Sequence, residues 1–257
     1  MPELSHKVTI KTPSQIKLME EGGKRLARIK AELKKSIKVD VSADKIEQLA
    51  TKLIEKEGGK PSFKMVQGYN WSTCVNINEG LVHGIPKSSI IFSRGDVVSV
   101  DVGLYFKGFH TDTSLTLYLG KDEKIIGFLA VGKEALGAAI NKARVGGRVY
   151  DLSKVMQDTI ERAKLTPIKA LVGHGIGKQL HEEPQIPCFV HGERKNSPRL
   201  IDGMTIAIEV MYTRGNEAVE LADDRWTIAT SDGKISALFE ETVLVTKKGP
   251  RVLTVLN

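Results

Sequence analysis

The sequence predicts an α+β fold in which helices pack on an antiparallel sheet, arranged as two related halves. Three observations carry that prediction. Apolar residues recur at helical spacing in two separate pairs of segments. Between and after them lie valine- and isoleucine-rich stretches that alternate polar with apolar residues, as strands do. The order helix, helix, strands then occurs a second time, with "VHGIPK" at 82–87 and "GHGIGK" at 173–178 in matching places.

The elements follow in chain order. Thr12-Pro13-Ser14 is a helix start, and Ile16, Met19, Leu26, Ile29 and Leu33 supply the apolar stripe behind it. The Lys/Arg run from Lys24 to Lys35 is read as the solvated face of that helix. A second helix follows Ser42, with Ile46, Leu49, Leu53 and Ile54 on one side, and Gly58-Gly59 stops it. "TCVNIN" and "GDVVSVDVGLYF" are strands, Lys107-Gly108 is a two-residue turn, and "FHTDTSLTLYL" returns beside the second of them. Residues 122–145 and "VYDLSKVMQDTIERA" form the second helical pair. After a glycine-rich loop come "GMTIAIEVMYT", "EAVELA", "RWTIAT" and "SALFEETVLVT", all strand-like. No linker or low-complexity segment divides the chain, so residues 1–257 are expected to form one domain with a short N-terminal arm at 1–11.

Composition limits the function classes. The chain has 257 residues, enough for a sizeable core, and 41% are hydrophobic but only 5% aromatic, so that core must be mainly aliphatic. Two cysteines, Cys74 and Cys188, cannot build a disulfide framework and point to a reducing compartment. No apolar stretch is long enough for a membrane span and no signal core opens the chain, so a cytoplasmic protein is expected. The net charge of +7 favours anionic partners such as RNA without requiring them.

Chemistry concentrates in the strands. If Lys107-Gly108 is the turn, Asp101 faces Ser114 across the hairpin, and Asp112 is its diagonal neighbour on the same face, with β-carbons roughly 7–8 Å apart. Asp101 lies between Val100 and Val102, so its strand should be largely buried. Glu209 stands amid isoleucines and a valine, and Glu240-Glu241 lies in "SALFEETVLV". Adjacent strand residues point to opposite faces, so one of that last pair faces the site; the pattern alone does not say which. Salt bridges or backbone donors could satisfy any one of these acids. No Arg or Lys lies inside these strands, however, and burying ionised carboxylates without a partner costs several kcal/mol. Four carboxylates with one imidazole suit two divalent ions such as Mn, Fe, Co or Zn, held roughly 3.5–4 Å apart. The implied reaction class is metal-assisted hydrolysis. The loop "GHGIGKQLHEEPQIP" offers two histidines for the imidazole, His174 and His181, and their spacing leaves the choice open.

"NINEGLVHGIP" (76–86), "DVVSVDVGLYFKGFHTDTS" (96–114), "GHGIGKQLHEEPQ" (173–185), "GMTIAIE" (203–209) and "SALFEETVLVT" (236–246) together resemble the type I methionine aminopeptidases. The resemblance runs from about residue 12 onward and implies the pita-bread fold, two pseudo-symmetric halves with a curved antiparallel sheet around a dinuclear metal site. By position it makes Asp101, Asp112, His174, Glu209 and Glu240 metal ligands, choosing Glu240 over Glu241 and His174 over His181. Glu209 doubles as proton shuttle. His83 and His181 become the substrate-facing histidines, and Tyr69, Cys74, Leu180 and Trp226 line the methionine pocket. The implied cofactors are two divalent metal ions (Co, Mn, Fe or Zn). The implied activity is removal of N-terminal methionine from nascent proteins and peptides with a small second residue, by a monomer that contacts the ribosome through its basic surface and no membrane. Xaa-Pro dipeptidases share the fold and ligand set, and a non-catalytic binding module of the same fold is the remaining alternative; the first lacks the "NINEGLVHGIP" match and the second loses ligands. The chain departs from the family pattern at Val210, where proline is usual, at Leu180, where phenylalanine is frequent, and in "GYNWS", where "GYPKS" is common. His110 is read as a surface or hairpin residue, His6 and His191 carry no signal, and Glu182-Glu183 is read as holding the loop.

Overall fold

The structure is a computed structural model that describes residues 8–256. Most of the expected arm at 1–11, and with it His6, lies outside the described residues. Helix α1 (Pro13–Ser36) begins where Thr12 and Gln15 form a reciprocal capping box with Pro13 just inside, so the Thr12 and Gln15 N–H groups are satisfied by side chains. Helix α2 (Ala43–Lys56) follows. Strands β1 (Lys60–Pro61), β2 (Thr73–Ile77), β3 (Gly80–Val82), β4 (Val97–Phe106) and β5 (Phe109–Tyr118) complete the first half. The second half repeats the pattern with α3 (Glu123–Lys142), α4 (Val149–Arg162), β6 (Thr166–Pro167), β7 (Val172–Gly175), β8 (Glu182–Pro187), β9 (Thr205–Thr213), β10 (Val219–Leu221), β11 (Ile228–Thr230), β12 (Ser236–Leu244) and β13 (Arg251–Val252).

The main sheet runs β1-β4-β5-β12-β9-β7-β8, with β2, β6 and β13 paired to β4, β9 and β12. Every pairing in it is antiparallel. Within this sheet the halves meet where β5 pairs β12 through two residue pairs, Glu240 with Ser114 and Glu241 with Thr113; they meet again where β3 pairs β11 in a second sheet of β10, β11 and β3. Helix α1 packs on β4 and β5, and α3 packs on β9 and β12. One core cluster joins Leu26, Ile29, Ile46 and Ile54 to Val98, Val100, Val102 and Leu104; another joins Leu136, Leu152 and Met156 to Ile206, Ile208 and Val210. Each such side chain is worth about 1.5–3 kcal/mol when fully buried.

That packing fixes which side chains are left for chemistry. Alternate residues of β4 face the helices, so Asp101 must face the other side of the sheet. The β4–β5 register pairs Asp101 with Ser114 and closes on Lys107 and Gly108, with φ of 47° and 92°. Both residues lie in the left-handed region, as a tight turn matching the strands' twist demands. The helix face of the seam corrects one expectation. The Lys/Arg run of α1 is not simply solvated, because Lys30 Nζ reaches down to Glu241 Oε1 at 2.6 Å and Thr113 Oγ1 at 2.8 Å. Arg25 and Arg28 likewise bind Glu57.

Candidate metal centre

The strand register builds the site. Asp101, Ser114, Glu240 and Glu209 stand directly opposite one another on β4, β5, β12 and β9, forming one cross-strand row. Asp112 is two residues from Ser114 and shares its face. His174 on β7 pairs with Ala207, two residues from Glu209 and on its face. Five side chains from five strands and both halves therefore converge on the side of the sheet away from the helices. Glu241 points the opposite way, to Lys30.

Asp112, His174 and Glu240 are 3%, 7% and 2% exposed, and one ligand atom from each lies within 4.8 Å of the others. Asp101 stands beside them in the row, directly across from Ser114, which in turn faces Glu240. Glu209 Oε1 is 3.3 Å from His174 Nε2. No Lys or Arg side chain forms an ion pair with any of these four acids among the described residues. Burial pushes the Asp101 carboxyl up to about 7. Burial first, then repulsion from neighbouring carboxylates, pushes Asp112, Glu209 and Glu240 up as well. Asp101 Oδ1 and Glu240 Oε1 are buried with no hydrogen-bond partner. Crowded carboxyls with orphaned oxygens fit a divalent cation, and hard oxygen donors with one imidazole suit Mn, Fe, Co or Zn.

His174 is prepared for such a role. Burial, then the neighbouring His181, lowers it to about 3, so the imidazole is neutral. Its Nδ1 lies 2.9 Å from the Gly175 carbonyl, which can only accept. The proton therefore sits on Nδ1, and Nε2 turns its lone pair toward Glu209 and the acids.

A cleft of 620 Å³ opens at the Glu209 end of this row, walled by His83, His181, Met211 and Thr9 and reaching His174 and Glu209. His83 follows β3 with φ of 57°, and the tight approach of the next residue explains how it is held there: a Cβ at Gly84 would stand 2.2 Å from the Val75 carbonyl oxygen. The His181 ring packs edge-on to His174 at 4.5 Å and is exposed to the cleft. The preceding loop is tied down by Glu182, which takes hydrogen bonds from Lys11 at 2.7 Å and from Thr9. That gives the expected loop-holding role to Glu182 with a named partner that the sequence did not suggest.

Tyr69, Cys74, Leu180 and Trp226 fall in one apolar cluster, with the Tyr69 and Trp226 rings 5.0 Å apart. Cys74 pairs with Asp101 across β2 and β4, which puts this cluster at the edge of the acidic row. Trp71, from the unusual "GYNWS" stretch, packs on Tyr69 at 5.3 Å. Val210 is fully buried in the helix-side core, so its departure from the family pattern touches packing rather than the cleft.

His110 overturns its surface reading. It is buried on the same face as Asp112, with Nδ1 2.9 Å from Ser62 Oγ and its ring against Tyr105. Its spacing of two from Asp112 was the available signal. Glu47 was missed because it lies on α2, far away in sequence. Its carboxylate accepts from Ser72 N at 2.7 Å and from Thr73 N and Oγ1 at 2.9 and 2.7 Å, fixing the entry to β2 beside Cys74. Glu47→Ala should destabilise the protein by about 3 kcal/mol, since each buried donor left unpaired costs about 1–3 kcal/mol. Urea unfolding measures this, and a loss below about 0.5 kcal/mol, the range of ordinary surface changes, would contradict the clamp.

Residues 17–247 match the sequence profile of metallopeptidase family M24. The chain is 39% identical over 250 residues to methionine aminopeptidase 1 of Bacillus subtilis, covering 96% of this chain and 99% of that protein. It is also similar to the crystal structure of a methionine aminopeptidase from Thermotoga maritima, with a TM-score of 0.94, 39% identity, and 97% and 100% of the two chains covered. The prolidase of Pyrococcus furiosus, at 22% identity and a TM-score of 0.77 over 96% of this chain and 66% of that one, shares the fold.

Proposed function

This chain belongs to metallopeptidase family M24 and, within it, to the methionine aminopeptidases; it is a pita-bread hydrolase that removes N-terminal methionine, and we propose that it does so with Asp101, Asp112, His174, Glu209 and Glu240 as ligands to two divalent ions. The observation that supports this ligand set is the convergence of four carboxyls and one neutral imidazole on one face of the sheet, without a basic partner among the described residues. When bound, such ions lower the pKa of an attacking water and polarise the scissile carbonyl. Glu209 reaches the cleft wall. Its carboxylate takes the water's proton and delivers it to the leaving amine. His83 and His181, both on the cleft wall, hydrogen-bond the scissile amide and orient it. The Tyr69, Cys74, Leu180 and Trp226 cluster receives the methionine side chain, whose thioether asks for apolar surface and little hydrogen bonding.

In this reading the substrate carries a small second residue. Release of methionine from Met-Ala-Ser is expected to exceed release from Met-Lys-Ser, with a Xaa-Pro dipeptide left uncleaved. Equal cleavage of the two methionyl peptides would refute the size rule, and preference for the Xaa-Pro dipeptide would favour the dipeptidase reading. The proposed setting is the cytoplasm, with the monomer acting on nascent chains and touching the ribosome through its basic surface. Two facts support it: no helix among the described residues is long and apolar enough to cross a membrane, and the net charge is +7.

Leu180 gives a sharper test of the pocket. A S···aromatic contact worth about 0.3–1.5 kcal/mol is lost where leucine replaces a ring, although Trp226 and Trp71 lie in the same cluster. Leu180→Phe should therefore raise the Met-to-Leu ratio of kcat/KM by up to about tenfold and leave metal binding intact. An unchanged ratio would remove Leu180 from the pocket.

A further inference from the structure

The metal centre draws Asp101 and Asp112 from the first half of the fold and His174, Glu209 and Glu240 from the second. Its geometry therefore depends on how the halves are joined. At the β5–β12 seam only two residue pairs are in register, Glu240 with Ser114 and Glu241 with Thr113. On the opposite face of those same pairs lies a polar knot. Lys30 of α1 donates to Thr113 Oγ1 at 2.8 Å and to Glu241 Oε1 at 2.6 Å, bridging one residue from each half. The Thr113 hydroxyl has the Glu240 carbonyl at 2.9 Å and Glu241 Oε2 at 3.1 Å as acceptors. The Thr113 N–H donates to Asp112 Oδ1 at 2.9 Å. Thr254 donates to Glu241 Oε2 at 2.5 Å and accepts from Thr242 N at 3.0 Å. Thr242 in turn holds both peptide groups of Asp112, accepting from its N–H at 2.9 Å and donating to its carbonyl at 2.8 Å.

We propose that Lys30, acting through Glu241 and Thr113, is a positioning residue for the metal centre: it ties the two halves together at the β5–β12 seam, where the strands carrying the Asp112 and Glu240 ligands lie side by side. Lys30 never touches the metal or the substrate. It anchors the backbone of Glu240 through Thr113 and the carboxylate of Asp112 through the Thr113 N–H. Side chains outside the ligand set that orient ligands in this way typically contribute about 10–100-fold to metal affinity, and useful site geometry tolerates only about 0.5 Å of drift. The Lys30 and Glu241 side chains are 16% and 14% exposed, so the pair is shielded from solvent far more than the Arg28 side chain of the same helix, which is 50% exposed and reaches Glu57.

The inference rests on the ligand set proposed above, and the test separates the two. Co²⁺ is titrated into metal-free wild type, Lys30→Met, Lys30→Arg, Glu241→Gln and Arg28→Met, reading affinity by calorimetry and ligand geometry by the visible d–d absorption. Near-UV circular dichroism reports folding. Lys30→Met is expected to weaken Co²⁺ binding about 10–100-fold and change the d–d bands. Lys30→Arg, which keeps the cation and its donors, should recover most of the loss, and Arg28→Met should bind as wild type does. A folded Lys30→Met protein with wild-type affinity and spectrum overturns the role. If Lys30→Met does not fold, Glu241→Gln, which keeps side-chain shape, is read by the same two criteria with the same outcomes. A wild type that binds no Co²⁺ would instead overturn the metal-site reading itself, and the role of Lys30 with it.

Discussion

Exhaustive removal of divalent cations is expected to abolish methionine release, and added Mn, Fe or Co to restore it. The reason lies in the charge balance of the row. Burial opposes ionisation of Asp101, Asp112, Glu209 and Glu240, repulsion between neighbouring carboxylates adds to it for the last three, and among the described residues no Lys or Arg side chain is paired with any of them. Without a cation the protein can relieve this only by keeping protons on its acids, and protonated acids are poor bases. The same argument predicts a second readout. A cation that binds the folded protein and not the unfolded chain stabilises it by about 2.7 kcal/mol at a hundred times its dissociation constant. The unfolding temperature should therefore rise with added metal, in step with activity. Full peptidase activity in protein shown by elemental analysis to be metal-free would end this reading. Activity that returns without any rise in stability would place the cation outside the row.

The Asp101 and Asp112 part of this site was legible in the sequence, because both stand on strands whose register a turn dictates; His174 was not, since it stands on β7 where a glycine-rich loop was expected. Lys107-Gly108 set the hairpin, the hairpin set Asp101 against Ser114, and period two put Asp112 on the same face. What the pattern left open was any choice between neighbours. Glu240 and Glu241 are interchangeable in a strand until something shows which face the helices cover. That something is Lys30, which stands in α1, 211 positions from its partner, so no local pattern links them. The surface half of the His110 reading failed for the reverse reason, while its hairpin half holds, since it stands opposite Tyr105 in the β4–β5 hairpin. Its place beside a turn suggested exposure, but the segments around Ser62 and Gly177 fold over it, and its N–H donates to the Gly177 carbonyl at 2.7 Å. Glu47 and Lys11 were missed likewise, since each is a lone charge on an outlying element that acquires meaning only from a loop brought to it by the fold.

Glu209→Gln is expected to lower kcat by about 10²–10⁴-fold, the usual contribution of a positioned acid or base, while leaving a folded protein. Glutamine keeps the size of the side chain and one oxygen that can still face the row, but it cannot take a proton from water at neutral pH. Glu209 is suited to the shuttle by location. Asp112 and Glu240 are closed in, whereas Glu209 is partly accessible, reaches the cleft wall, and has His174 Nε2 3.3 Å away. Its strand holds it firmly: Cys188 Sγ donates to the Glu209 carbonyl at 2.9 Å, and Ile208 and Val210 on either side are fully buried on the helix face. A change confined to the side chain should therefore leave the backbone in place. Because Glu209 is also a proposed ligand, Co²⁺ affinity must be measured on the same variant. A fall in kcat at saturating metal and saturating peptide isolates proton transfer from metal loss. If instead kcat is intact and only KM rises, Glu209 contributes to binding alone, and the proton must move through another group.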